Sequence, residues 1–123
     1  PGNYLPYSYT KSSAFYTGTH DNVTTEGWKE SASPEDVHYA CRYLRCEPDD
    51  LTEAMIAACL SCVSDMAIVP MADWLHLGAE ARINTPSTQG ANWQWRLATP
   101  LTGLLADHIA DLTVLYDRAP AAE

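Results

Sequence analysis

Apolar and polar positions follow two rhythms along this chain, one strand-like and one helical. Ala14-Phe15-Tyr16-Thr17-Gly18-Thr19 is a short run with aromatic and β-branched content, predicted as a strand that ends on the polar cluster His20-Asp21-Asn22. Thr24 to Glu30 is predicted as a short helix. Ser33-Pro34-Glu35-Asp36 marks a helix start: Ser33 caps, Pro34 suits the first turn, and the acids oppose the positive end of the dipole. That helix is expected to reach Cys46 and stop at Pro48, after which Asp49 or Asp50 caps a second helix with Leu51, Met55, Ala58, Cys59 and Cys62 at helical spacing. Met66-Ala67-Ile68-Val69 is wholly apolar, ends at Pro70 and predicts a strand buried on both faces. Met71 to Leu77 predicts a short helix closed by Gly78. Residues 79 to 96 carry Asn, Thr, Pro, Ser, Gly and two Trp, a long loop of the kind that more often carries function than mere connection. Thr99-Pro100 begins a last helix with the stripe Leu101, Leu104, Leu105, Leu112 and Leu115, ending near Arg118 and followed by a tail over 119–123. Residues 1 to 13 read as an irregular opening segment.

Strands separated by helices give α/β order and imply a parallel sheet, but two strands do not make a stable sheet of that kind. The element order is therefore incomplete as a fold, although 123 residues suffice in length for one ordinary domain.

Composition narrows the function classes. With 16 Asp+Glu against 7 Lys+Arg the net charge is −9, which argues against binding a nucleic-acid backbone. No apolar run approaches the roughly 20 residues needed to span a bilayer, and Pro1-Gly2-Asn3-Tyr4 has no signal-peptide character. The aromatics are 7 Tyr and 4 Trp with 1 Phe, so most rings carry a polar handle and suit half-wet surfaces and sugar faces, or equally the rim of a core. The chain starts at Pro1 without Met, as a cut piece or a processed expression product would.

The candidate chemistry is sparse. Cys41, Cys46, Cys59 and Cys62 give C-x4-C and C-x2-C, a spacing with a superficial likeness to zinc sites. Cys59 and Cys62 fall on an apolar helical stripe, where thiols act as small hydrophobes. His38, His76 and His108 each stand alone on predicted helices and read as surface or core-edge residues, and Glu35, Asp36, Asp49 and Asp50 as helix-start acids. His20-Asp21-Asn22 follows directly on a strand, at the carboxyl end where α/β proteins place their sites; a plain turn initiated by Asp and Asn explains it as well. Arg82, Asn84, Trp93, Trp95 and Arg96 in the long loop combine flat rings with fixed donors, fitting either a carbohydrate or a packed loop anchored by Trp.

Beyond these local readings, Tyr16-Thr17-Gly18-Thr19-His20-Asp21-Asn22 resembles a signature of the amylomaltases, the 4-alpha-glucanotransferases of glycoside hydrolase family 77. Ala67-Ile68-Val69-Pro70 followed by Asp73 looks like that family's last barrel strand and the helix after it. Leu77-Gly78-Ala79-Glu80-Ala81-Arg82-Ile83-Asn84-Thr85-Pro86 is similar to its LGSEARMN-x-P loop. Gly90, Asn92, Trp93, Trp95 and Arg96 match its G-x-N-W-x-W-R segment, and Leu115-Tyr116 with Arg118 is like its closing helix. The chain departs from the pattern at Ala72, where Gln is usual, at Val23, where an Asp often stands, at Ser8, where a His is common, and at Ile83, which replaces a Met.

The resemblance implies a helix-rich α/β piece, the C-terminal part of a (β/α)8 barrel. It comprises about two β/α units, a long loop and a final helix, with residues 1–123 as one fragment and no second domain. It implies transfer of α-1,4-glucan segments between maltooligosaccharides or amylose by a retaining mechanism, which needs a carboxylate nucleophile and a carboxylic acid-base. On this resemblance Asp21 is the transition-state stabiliser that grips the hydroxyls of the reacting sugar, His20 donates to the same sugar, and Asn84 lines the groove. The nucleophile and the acid-base fall on barrel strands upstream of residue 14, so the chain is expected to be inactive alone. No cofactor or metal, no nucleic-acid or membrane partner and a cytoplasmic location are expected. Two bare sheet edges and helix faces predict self-association or non-native helix packing. The rivals are a non-catalytic glucan-binding module and an interaction domain held by metal on the cysteines.

Overall fold

The computed structural model describes residues 5–121; Pro1 to Tyr4 of the opening segment and Ala122 and Glu123 of the tail lie outside it. Its strands β1 (Ala14–Tyr16) and β2 (Met66–Ile68) pair in parallel, Ala14 opposite Met66 and Tyr16 opposite Ile68. Helices α1 (Thr25–Ser31), α2 (Pro34–Leu44) and α3 (Leu51–Ser61) form the crossover between them. A short α4 (Met71–Trp74), a 3-10 turn over Ala79–Ala81, a long loop and α5 (Gly103–Leu115) follow. The element types match the sequence pattern, including the parallel pairing.

Local chemistry sets the helix starts. The Thr24 hydroxyl accepts the Gly27 N–H at 3.1 Å, and the Ser33 hydroxyl accepts the Asp36 N–H at 3.1 Å with Pro34 in the first turn. Asp50 holds the cap position of α3 but makes no side-chain cap bond. α2 ends at Leu44 rather than Cys46, because Arg45 turns left-handed and Cys41 carbonyl accepts the Cys46 N–H at 3.0 Å.

The core forms where α3 meets β2, α4 and α5. Ile56, Leu60 and Trp74 are buried, and Ala67, Val69, Met71, Leu105, Ile109, Leu112 and Tyr116 pack on them. The buried face of α3 is Leu51, Thr52, Ile56, Cys59 and Leu60; Met55 and Ala58, expected there, are half-buried, and Cys62 caps the helix end. Cys59 lies beneath both strands, its Sγ 3.5 Å from the Phe15 carbonyl and 3.8 Å from that of Ile68, and burial, with a smaller contribution from Cys62, pushes its thiol from 9.0 up to about 11. The Arg118 guanidinium closes this half by donating to the carbonyls of Leu60, Cys62 and Ser64 at 2.7, 2.9 and 3.0 Å.

Several expectations need correction. β1 stops at Tyr16 rather than Thr19: the Thr17 N–H still reaches the Ile68 carbonyl at 3.3 Å, but its hydroxyl turns to Asp73. β2 is not buried on both faces; Met66 and Ile68 are 56% and 47% exposed, because Ala67 and Val69 take the helix side and among the described residues no element covers the other. α4 stops at Trp74 rather than Leu77, with His76 left-handed at φ 53°. α5 starts after Thr102, whose hydroxyl accepts the Leu105 N–H at 3.2 Å, so Leu101 precedes the helix. Its packed stripe is Leu105, Ile109, Leu112 and Tyr116, while Leu104 and Leu115 are exposed. The histidines at 76 and 108 do not stand alone: their Nε2 atoms lie 2.6 and 3.2 Å from the two carboxylate oxygens of Glu53, joining the end of α4 and the body of α5 to α3. All four cysteines are free thiols, and among the described residues no cluster of three or more His, Cys, Asp or Glu is disposed to hold a metal.

Candidate functional site

The segment between β1 and α1 is a loop with both ends fixed by one side chain. Asp73, in the first turn of α4, is buried; it accepts the Thr17 hydroxyl on Oδ2 at 2.6 Å and the Thr25 N–H on Oδ1 at 2.8 Å. A carboxylate that accepts two donors satisfies itself in a dry setting and removes the freedom of the residues between. Within the loop Asn22 makes the turn: its Oδ1 accepts the Thr19 N–H and hydroxyl at 2.8 and 3.0 Å, and its own N–H reaches the Thr19 carbonyl at 3.1 Å. The turn reading is therefore right for Asn22, and it sets His20 and Asp21 outward, their side chains 54% and 48% exposed.

The second segment follows the 3-10 turn over Ala79–Ala81, which lies against α1 where it carries Gly27. A Cβ on Gly27 would come within 3.1 Å of the Ala79 backbone, so the residue type at 27 sets how near the two segments come. The Asn84 side-chain amide donates to Asp21 Oδ1 at 2.7 Å, and the Asn84 N–H donates to the His20 carbonyl at 3.1 Å. His20 Nε2 lies 3.3 Å from the same Asp21 Oδ1. The Trp93 ring flanks His20 with centroids 5.0 Å apart and planes tilted by 34°; Trp93 is left-handed at φ 64° and is held by its N–H on the Ile83 carbonyl at 2.7 Å.

All three residues expected at the site, His20, Asp21 and Asn84, thus come together. Of the other loop residues singled out, Arg96 turns its guanidinium onto the Trp95 carbonyl at 2.9 Å, and Asn92 closes the loop on Thr85 and Thr88. Arg82 faces main-chain carbonyls of the site rather than solvent. Local pattern gave no bridging role to Asp73; its one signal was an acid in the first turn of a very short helix.

Chemically the site is an open shelf: a half-exposed carboxylate, an amide and an imidazole sharing one of its oxygens, and a flat aromatic face beside them. Among the described residues the contacts of the Asp21 carboxylate fall on Oδ1, which leaves Oδ2 as a further acceptor on a half-exposed side chain. Vicinal hydroxyls of a sugar fit such an acceptor, and ring faces of sugars suit Trp. A cleft of about 980 Å³ bounded by His38, Cys41, Arg42, Arg45 and Pro48 lies elsewhere and contains no site residue.

A family model described as 4-alpha-glucanotransferase matches residues 1–102. A 4-alpha-glucanotransferase of Clostridium butyricum is 42% identical over 118 residues, 94% of this chain and 24% of that protein. The chloroplastic/amyloplastic 4-alpha-glucanotransferase of Arabidopsis thaliana is 38% identical over 120 residues, 94% of this chain and 21% of its own length. An amylomaltase from Streptococcus agalactiae, solved in complex with acarbose, superposes with a TM-score of 0.88 at 36% identity, covering 94% of this chain and 24% of that one. The chain spans about a fifth to a quarter of the length of these relatives. By the family match and these identities, the chain belongs to the 4-alpha-glucanotransferase family, glycoside hydrolase family 77.

Proposed function

We propose that these residues are the C-terminal part of a (β/α)8 catalytic barrel, its last two β/α units with the long loop and final helix, in an enzyme that transfers α-1,4-glucan segments by a retaining mechanism. The observation that carries this reading is the Asp21 carboxylate, set just beyond the carboxyl end of a parallel strand and held there by Asn84 at 2.7 Å. Asp21 stabilises the transition state by accepting hydroxyls of the reacting sugar as the ring flattens and gains positive charge. His20 donates to the same sugar, and Asn84 both orients Asp21 and lines the groove. The carboxylate nucleophile and the acid-base belong to other strands of the whole enzyme, so 1–123 alone is inactive; the whole enzyme works without a cofactor. The four free thiols suit a reducing, cytoplasmic setting, and among the described residues no helix is long and apolar enough to cross a membrane.

In the full-length enzyme, Asp21→Asn keeps the shape of the side chain and removes its charge. Disproportionation of maltotriose should fall by about 10²-fold or more while the thermal transition stays in place. Wild-type turnover in that variant would overturn the role of Asp21. The exposed Trp93 ring beside His20 favours one second reading, a glucan-binding module without catalysis. Calorimetric binding of maltoheptaose by the full-length protein with no change in its chain length would select it. The open faces at Met66 and Ile68 support self-association of residues 1–123, to be read by sedimentation equilibrium; a monodisperse monomer with a sharp melt would count against it.

A further inference from the structure

We infer that Arg82 is a positioning residue that holds the His20–Asp21 loop in register with the Asn84 loop; the inference rests on the function proposed above. Its guanidinium donates from Nη2 to the Asp21 carbonyl at 2.6 Å and from Nε to the Asn84 carbonyl at 2.9 Å. Both acceptors are main-chain atoms, so the bonds fix where Asp21 and Asn84 start from the backbone and leave their side chains to the substrate. Two further bonds complete the link, from the Asn84 N–H to the His20 carbonyl at 3.1 Å and from the Asn84 amide to Asp21 Oδ1 at 2.7 Å.

The chemistry of the side chain matters here. A guanidinium presents several donors in one rigid plane and can span two carbonyls at once, whereas a lysine ammonium is a single point on a flexible stem. The base of Arg82 is itself fixed, since Ala81 is buried and the Ala79 backbone lies against Gly27 of α1. Loss of the fork lets the two loops move independently, and the Asp21–Asn84 bond is then no longer imposed by the backbone. A shift of the Asp21 carboxylate by a fraction of an ångström reduces transition-state stabilisation more than ground-state sugar binding.

The test is Arg82→Lys in the full-length enzyme, alone and combined with Asp21→Asn, with Arg82→Ala as a second variant. Arg82→Lys is expected to retain its melting temperature, to lose about tenfold or more in kcat, and to change KM far less. Because Arg82 acts through Asp21, the double variant should be no slower than Asp21→Asn alone. The Asn84 side-chain amide resonances, followed by 15N NMR, should lose the shift that marks their bond to Asp21. Wild-type kcat in Arg82→Lys, or losses that multiply in the double variant, would overturn the inference. Full activity in Asp21→Asn would instead sink the proposed function, and the Asn84 resonances then still decide whether Arg82 holds the two loops together.

Discussion

The half of the molecule built around α3 and the half that carries the site are held together by different physics. Around α3 apolar burial dominates: Leu51, Ile56 and Cys59 have no exposed surface, and α5 lays Leu105, Ile109 and Leu112 against the same cluster, with the Glu53 contacts to His76 and His108 at its edge. At the site few large side chains are buried, and position is set by directional contacts from Asp73, Arg82 and Asn84. The first region demands volume and is indifferent to many apolar exchanges. The second demands particular atoms and leaves its functional groups open to solvent. The polar contacts of the helical half sit at its margins, where Arg118 ties down carbonyls at the end of α3.

The contrast is broken most directly by emptying the core. Ile56 is fully buried against Leu60 and Trp74. Ile56→Ala should cost about 2–5 kcal/mol, part lost transfer energy and part cavity, read as a lowered urea midpoint. Ile56→Val should cost about 0.5–1.5 kcal/mol, so the two together test whether volume alone governs this region. A loss below the Val range for the Ala variant would show that the core collapses freely around position 56.

Next in size is the polar anchor. Asp73→Ala leaves the Thr17 hydroxyl and the buried Thr25 N–H unpaired, at about 1–3 kcal/mol for each group left without a partner. Asp73→Asn can accept the Thr25 N–H on its carbonyl oxygen and donate its amide to the Thr17 hydroxyl, so it should lose distinctly less in the same unfolding experiment. Equal losses in the two variants would mean that the site loop is held by packing, and the distinction between the two regions would fail.

The same division explains what was legible in the sequence. The Ser33 cap is chosen by neighbours within three residues and pattern locates it, whereas Thr24, read as the first residue of its helix, is the cap before it. Pattern does not settle the face of α5, because Leu104, Leu105, Ile109, Leu112, Val114 and Leu115 spread around the axis; periodicity cannot select a side when most sides are apolar. β2 failed for a related reason: an unbroken apolar run does not say which face a given chain covers. The pairing of Asp21 with Asn84 spans 63 positions and has no local signature. Only likeness to a family brought those two residues into one site, and neither period nor propensity pointed to Arg82 or Asp73 as the groups beneath them.

The last expected effect is confined to alkaline pH and concerns a titrating group on the core side, where burial and not a charged partner sets the balance. Cys59 is raised from 9.0 to about 11 by desolvation beneath the two strands. A thiol whose folded value is raised is bound to its proton more tightly in the native state, so the associated stability is complete below pH 9 and is lost as pH rises through 11. Unfolding midpoints of the wild type and Cys59→Ala should therefore run parallel from pH 7 to 8.5 and converge between about pH 9 and 11, because over that range the unfolded wild type releases the Cys59 proton that the folded state still holds. Tyrosine and lysine ionise in the same range, but they do so in both proteins and cancel in the difference. Half-exposed Cys46 and Cys62 supply an internal control: at pH 8.5 iodoacetamide should modify them well before Cys59. Equal labelling of all the thiols in the native protein would place Cys59 among the solvent-open groups of the site side, and the dry core beneath the sheet would have to be abandoned.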